Sequence, residues 1–244
     1  MKIIFLLLSI VMFLSTEISP QSHLVYFSAG YNVPTTTAVI SSSQSGGLTQ
    51  QTISTYSEGI VYQGGYQFVA TENFLLDVNF NYLPGYKDEK YYTDSEGVYW
   101  SYTNSNFSVS PTINIKFNVG NISPYTKFGI SVNFIHLEMN QESGGTFSNS
   151  ISNYSYKRDF TLGIVGGAGL NLLFDKTFIL FLETQLNSFT YYPEELTITQ
   201  TSSNGNKITD HYYLKENANG DDEIGARAFP FGSIGFIAGV RIVL

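Results

Sequence analysis

Three histidines and no cysteine are all that this 244-residue chain offers to ordinary nucleophilic or metal chemistry. Without cysteine there is no thiolate nucleophile, no disulfide framework and no lipid-modified cysteine anchor. The histidines, His23, His136 and His211, are far apart in sequence. His136 has Glu138 two residues on, which pairs a base with a carboxylate, but no nucleophile motif accompanies them. The acidic runs Asp88-Glu89, Asp94/Glu96, Glu194-Glu195 and Asp221-Asp222-Glu223 lack the spacing of a calcium loop. The glycines at 163, 166, 167 and 169 form neither a phosphate-cradling loop nor a dinucleotide fingerprint. No catalytic residue, metal or cofactor is therefore expected. A formal net charge of −8, with only 12 Lys and Arg, also excludes a nucleic-acid surface.

Five charges remain of interest because of their neighbours. Asp77, Lys116, Lys127, Glu183 and Arg241 each interrupt a row of Gly, Ser, Asn, Thr or Gln that alternates with a row of bulky apolar residues. Around Asp77 the rows are Leu75, Asp77, Asn79, Asn81 against Phe74, Leu76, Val78, Phe80, Tyr82. The last residues read the same way: Ile234, Phe236, Ala238, Val240, Ile242 and Leu244 against Ser233, Gly235, Ile237, Gly239 and Arg241. A period of two is the strand period, so the two rows lie on opposite faces. Bulky apolar residues on one face and small polar ones on the other mark a strand with hydrocarbon outside and a narrow polar interior. The five charges should then cluster near one end of that interior. Their simplest use is to plug it by mutual neutralisation; the alternative is to line an ion path or a small-solute site.

Eight such strands can be counted, starting near Leu24, Gly59, Phe74, Tyr99, Lys127, Phe160, Phe178 and Gly232. The connections alternate between long and short. The long ones lie near 34–54, 84–98, 137–157 and 193–229; the short ones are Thr71-Glu72-Asn73, 118–123 and Asp175-Lys176-Thr177. Aromatics mark the ends of the apolar rows: Phe74, Phe117 and Phe178 at one rim, Tyr31, Tyr82, Phe107 and Phe160 at the other. Pro111 lies in an outward row and predicts a bulge or kink there. Ser203-Asn-Gly-Asn206, flanked by Leu196–Thr201 and Lys207–Tyr213, predicts a hairpin beyond the wall. If that hairpin joined the wall, the count would be ten. Lys2 followed by the apolar run Ile3–Leu14 and a polar stretch reads as a cleaved signal peptide over residues 1–22.

With this layout, the closing row Phe236 to Leu244 and the phrase Ile122-Ser-Pro-Tyr-Thr-Lys-Phe-Gly-Ile130, the chain resembles small bacterial outer-membrane β-barrels of the outer-membrane protein X and outer-membrane protein A transmembrane-domain type. The resemblance covers about Leu24 to Leu244. It implies an all-β fold, an eight-stranded antiparallel up-and-down transmembrane barrel, in the outer membrane with periplasmic termini. Phe236, Ala238, Val240, Ile242 and Leu244 resemble the signal read by the barrel-assembly machinery, with Leu244 where the family usually has an aromatic. Expected partners are outer-membrane lipids, lipopolysaccharide and an extracellular ligand met by the loops. The expected role is a scaffold presenting those loops for surface interaction or adhesion. The alternatives are a narrow porin-like channel and, behind it, a lipid A-modifying hydrolase using His136.

Overall fold

The computed structural model describes residues 23–36, 38–45, 48–92, 98–117, 119–144, 149–175, 177–216, 220 and 222–244; the expected signal segment lies outside them. In chain order the strands are β1 (His23–Pro34), β2 (Ala38–Ser45), β3 (Leu48–Ser54), β4 (Gly59–Val69), β5 (Phe74–Tyr92), β6 (Val98–Lys116) and β7 (Ile122–Gly144). There follow β8 (Asn149–Lys157), β9 (Thr161–Leu173), β10 (Phe178–Tyr191), β11 (Glu195–Thr201), β12 (Lys207–Lys215), β13 (Glu223–Gly225) and β14 (Phe229–Val243).

Eight of these close on themselves, in the order β1, β4, β5, β6, β7, β9, β10, β14, every pair antiparallel. One circuit of the register gives the size of the ring. From Pro34 the partners run Ser233, Asn187, Val165, Gly129, Thr112, Asp77, Gln67 and back to Leu24 on the starting strand, ten residues along. An offset of that size on eight strands tilts them by about 40° and gives a backbone radius of about 8 Å. Such an interior is just wide enough for its own side chains.

The direction of the side chains settles what surrounds the ring. Phe27 is 70% exposed, Phe128 66% and Phe236 60%, whereas Asn79 and Ser110 are fully buried. The polar row faces the axis and the apolar row faces away, the reverse of a water-soluble barrel. Only hydrocarbon makes such a belt favourable, and a closed ring leaves no strand edge open within it. The aromatic rims read from the sequence are in place, with the Phe107 and Phe134 rings 6.2 Å apart at the upper one.

The short turns are locally capped. Thr71 Oγ1 accepts the amides of Asn73 and Phe74, and Asp175 Oδ1 accepts those of Thr177 and Phe178. At the other end the strands do not dissolve into loops. β7 pairs with β9 over Ile122–Asn133 and then with β8 over Leu137–Gly144. β8 carries β11, β11 carries β12, and β13 adds a parallel edge. The hairpin expected around Ser203–Asn206 is β11–β12. It stands off the ring, so the wall has eight strands and not ten.

The bulge expected at Pro111 lies elsewhere. Pro111 leaves the register of β6 unbroken: Val78 still faces it on β5, and towards β7 the ladder resumes at Thr112–Gly129 without a shift. Gly129 makes this possible, since a Cβ there would stand 2.1 Å from the Pro111 carbonyl oxygen; without one, the backbones close up where the proline lacks its N–H. The bulge lies instead at Pro84-Gly85, between the pairs Leu83–Asn106 and Tyr86–Asn104. The extra residue there is what lets β5 run on to Tyr92 rather than end at the proline.

Candidate functional site

Four of the five predicted charges meet in the barrel interior, towards the short-turn end. Lys127 and Glu183 form an ion pair whose side chains are 3% and 2% exposed. Lys127 Nζ also donates to Gln185 Oε1 at 2.8 Å, and Tyr125 Oη donates to Glu183 Oε2 at 2.7 Å. Asp77 accepts from Tyr26 Oη at 3.1 and 3.2 Å, from Gln67 Nε2 at 3.4 Å, and from Thr112 Oγ1 and Asn114 Nδ2 at 3.5 Å. The Arg241 guanidinium lies 4.3 Å from the Phe181 ring centroid and 4.5 Å from that of Tyr125, and it donates to Asn171 Oδ1. Two cations and two anions thus balance in a space that water scarcely reaches. That neutrality is what makes their burial tolerable. Lys116 is not part of this group: it is half-buried near the short-turn end, where its electrostatic neighbours are Glu72 and Arg241.

The residues that hold the charges were not among those predicted. Tyr26, Tyr125, Gln67, Gln185 and Asn171 supply the hydrogen bonds, and Phe181 and Tyr125 supply the faces on which Arg241 rests. The large inward side chains share a placement rule. Tyr26 is paired across the ladder with Gly65, Tyr125 with Gly169 and Phe181 with Gly239. A Cβ on Gly65 would stand 2.4 Å from Tyr26, and one on Gly169 would stand 2.6 Å from Tyr125. The inward glycines are therefore seats for the rings that line the ionic cluster. Their signal in the sequence was the glycines themselves, legible only once the register is known.

Above the cluster lies a chamber of about 30 Å³, bordered by Asn81, Asn106, Ser108, Asn133 and Ser233 and roofed by Phe189 and Phe231. By volume it has room for about two water molecules. Asn81 Nδ2 donates to Ser108, and Asn106 Nδ2 to Asn133, which leaves the two Oδ1 atoms without a protein partner. Gln63 Nε2 meets Gln185 Oε1 at 3.1 Å, and Gln185 in turn donates to Asn187, which connects the ionic cluster to the chamber.

The roof belongs to an apolar core at the long-hairpin end. Tyr56, Tyr102, Leu137, Met139, Tyr156, Tyr191, Leu196, Leu214, Phe229 and Phe231 are all buried in it. The β7–β8–β11–β12 sheet lays one face on this core, and Phe189 stacks on Phe231 at 5.1 Å and 8°. Burial pushes the phenols of Tyr156 and Tyr191 above their ordinary range. This end of the barrel is a packed crown.

His136 points outward at the upper rim, as its parity requires, with Nε2 3.2 Å from Glu138 Oε1. Ser105 stands opposite it in the β6–β7 register, but no hydrogen bond joins the two. Base and carboxylate are present without a connected nucleophile. Among the described residues no three His, Asp or Glu side chains converge as a metal site. Phe236, Ala238, Val240 and Ile242 form the outward row of β14, paired with β1 on one side and β10 on the other; Leu244 follows, its amide donating to the His23 carbonyl.

No family model matches the sequence, and no curated protein matches it. Solved structures do. A major outer membrane protein from Thermus thermophilus is 11% identical, with 93% of this chain and 100% of that one covered and a TM-score of 0.52. Neisserial surface protein A is 13% identical over 92% and 99%, with a TM-score of 0.46. The attachment invasion locus protein Ail of Yersinia pestis is 12% identical over 91% and 97%, with a TM-score of 0.34. At such identities the likeness speaks for the fold alone. Closed, eight-stranded and apolar on its outer face, the chain has the fold of the small bacterial outer-membrane β-barrels.

Proposed function

We propose that this chain is an outer-membrane scaffold whose lumen is shut and whose crown is its working surface. In this reading the short turns and both termini lie in the periplasm and the crown faces outward, among lipopolysaccharide and external ligands. The assembly machinery reads the row Phe236 to Leu244 during insertion. The observation that carries the proposal is the double closure of the interior. The neutral cluster of Asp77, Lys127, Glu183 and Arg241 fills it below, and the Phe189–Phe231 stack closes it above. A side-chain-filled eight-stranded barrel has no width left for a permanent pore. Contact with ligands then falls to the exposed outer face of the β8–β11–β12 sheet. Thr197, Thr199, Thr209, His211 and Tyr213 there offer hydroxyls and ring area suited to adaptable polar recognition.

The second reading is a narrow gated channel, favoured by the unpartnered Asn81 and Asn106 oxygens beside the chamber. Planar-bilayer recording on the purified barrel separates the two. The scaffold reading expects no steady unitary conductance; long-lived, reproducible openings at low voltage would replace it with the channel reading.

A further inference from the structure

The polar chamber has a second cover besides the Phe189–Phe231 stack. Ser57 borders it beside Asn32, Val61 and Leu83. Ser57 belongs to a short stretch, Thr55–Glu58, that precedes β4 and turns inward, leaving Tyr56 2% and Ser57 6% exposed. Two opposed walls hold it. Asn104 Nδ2 on β6 donates to the Tyr56 carbonyl at 2.6 Å, and Ser57 Oγ donates to the Gly232 carbonyl on β14 at 2.7 Å. β6 and β14 stand four strands apart in either direction round the ring, so the stretch is a bar across its mouth.

The bar is built to move. Where it joins the wall, Gly59 has φ +133°, a conformation that glycine alone adopts readily. The last pair between β1 and β4 is Asn32–Gly59, so no ladder reaches the bar from β1. Besides its two buried hydrogen bonds it has Tyr31 Oη on Glu58 Oε1 at 3.0 Å and the Tyr56 ring against Phe229 and Phe231, each 5.5 Å between centroids. A segment so held opens at far lower free energy than a strand, and torsions about one glycine suffice to swing it.

Beneath it, polar atoms lack what such an opening would bring. Asn133 Nδ2 donates to the Ser131 and Thr161 carbonyls, which can only accept. Asn133 Oδ1 must therefore take the Asn106 amide, and Asn106 Oδ1 is left to the chamber. Asn81, 8% exposed, also has its Oδ1 without a protein partner, as do the side chains of Asn79 and Ser110, fully buried one layer below. Leaving such groups unpaired is unfavourable, and water or another small hydrogen-bonding molecule pairs them. An ion would instead add an unbalanced charge to an interior whose charges already cancel.

We propose that Thr55–Glu58 is a hinged stopper that swings on Gly59 to admit water and small uncharged polar molecules to the chamber. The inference rests on the closed lumen of the scaffold reading and adds a movable part to it.

Because the chain has no cysteine, Ser108→Cys places a single thiol in the chamber. The full barrel is reconstituted in vesicles and treated with methyl methanethiosulfonate, which is small and uncharged. Labelling should be slow in the otherwise parental protein. Ser57→Ala or Asn104→Ala, each cutting one end of the bar, should speed it by about tenfold. Ser57→Thr, which keeps the hydroxyl, should not. A trimethylammonium-bearing thiosulfonate should stay slow throughout. Equal rates in parent, Ser57→Ala and Asn104→Ala overturn the proposal. So does equal acceleration at Thr112→Cys, below the chamber, which would mean general loosening, and so does a charged reagent as fast as the uncharged one. A resting ion conductance in the planar bilayer would remove the scaffold reading and leave the comparison of labelling rates standing.

Discussion

Glu183→Leu should lower the stability of the barrel by about 3–5 kcal/mol, and Lys127→Met by a similar amount, because either change leaves one buried charge without its partner. Lys127 would keep Gln185 Oε1 at 2.8 Å, but a neutral amide oxygen does not replace a carboxylate. In the other variant Glu183 would keep the Tyr125 hydroxyl and little else. The double variant Lys127→Met/Glu183→Leu removes both charges and puts apolar volume of similar size in their place. It should return to within about 1 kcal/mol of the parent, since a buried pair contributes little beyond cancelling its own desolvation. Urea unfolding in lipid vesicles measures all three, and the non-additivity is the signature. Additive losses, or single variants that cost nothing, would mean that the two groups are hydrated and that the interior is not closed where Lys127 and Glu183 meet.

Phe231→Ala should act at the other closure. Phe231 is 1% exposed and stacks on Phe189, with Tyr56 5.5 Å away between ring centroids. Truncating such a ring costs about 3–5 kcal/mol. The loss falls on the crown, whose core it belongs to, and the wall below keeps its ladder. Ser233, two residues on and 2% exposed, lies under the roof and borders the chamber. A cysteine at 233 should therefore be almost inert to a water-soluble maleimide in the parent. Adding Phe231→Ala should make it react about tenfold faster or more, as the open population rises. Equal rates in the two backgrounds would show that the aromatic stack is not what shuts the upper lumen.

The wall was legible in the sequence because each of its strands carries the same two-faced alternation and because short turns fix which neighbours are sequential. Asp77, Lys127, Glu183 and Arg241 were found by parity alone, since a charge in a polar row has only one face to occupy. Lys116 has the same parity, but its place at the strand end leaves it outside the cluster. What supports the charges was harder to see. That Tyr26 rests on Gly65 and Tyr125 on Gly169 depends on cross-strand register, which residues far apart in sequence do not announce. The crown was hidden for a related reason. Leu137, Met139, Tyr154 and Tyr156 alternate as a wall strand would, yet they lie in a stretch that reads as a polar loop, while Leu196, Ile198 and Tyr212 belong to the expected hairpin, whose packing partners its sequence does not name. Their partners come from hairpins joined out of order, β8 to β11 and β7 to both β8 and β9. Pro111 misled because a proline was weighed without Gly129, its neighbour on the next strand.

Everything turns on which half of each strand meets acyl chains, and a spin label reads that directly. Single cysteines at positions 79, 80, 81 and 82 of β5, labelled and reconstituted in vesicles, report their access to oxygen and to a water-soluble nickel chelate. Labels replacing Phe80 and Tyr82 should be open to oxygen and closed to nickel, as in hydrocarbon, while those replacing Asn79 and Asn81 should be shielded from both. If 79 and 81 are the pair that oxygen reaches, the polar row faces outward and this chain is not a membrane barrel.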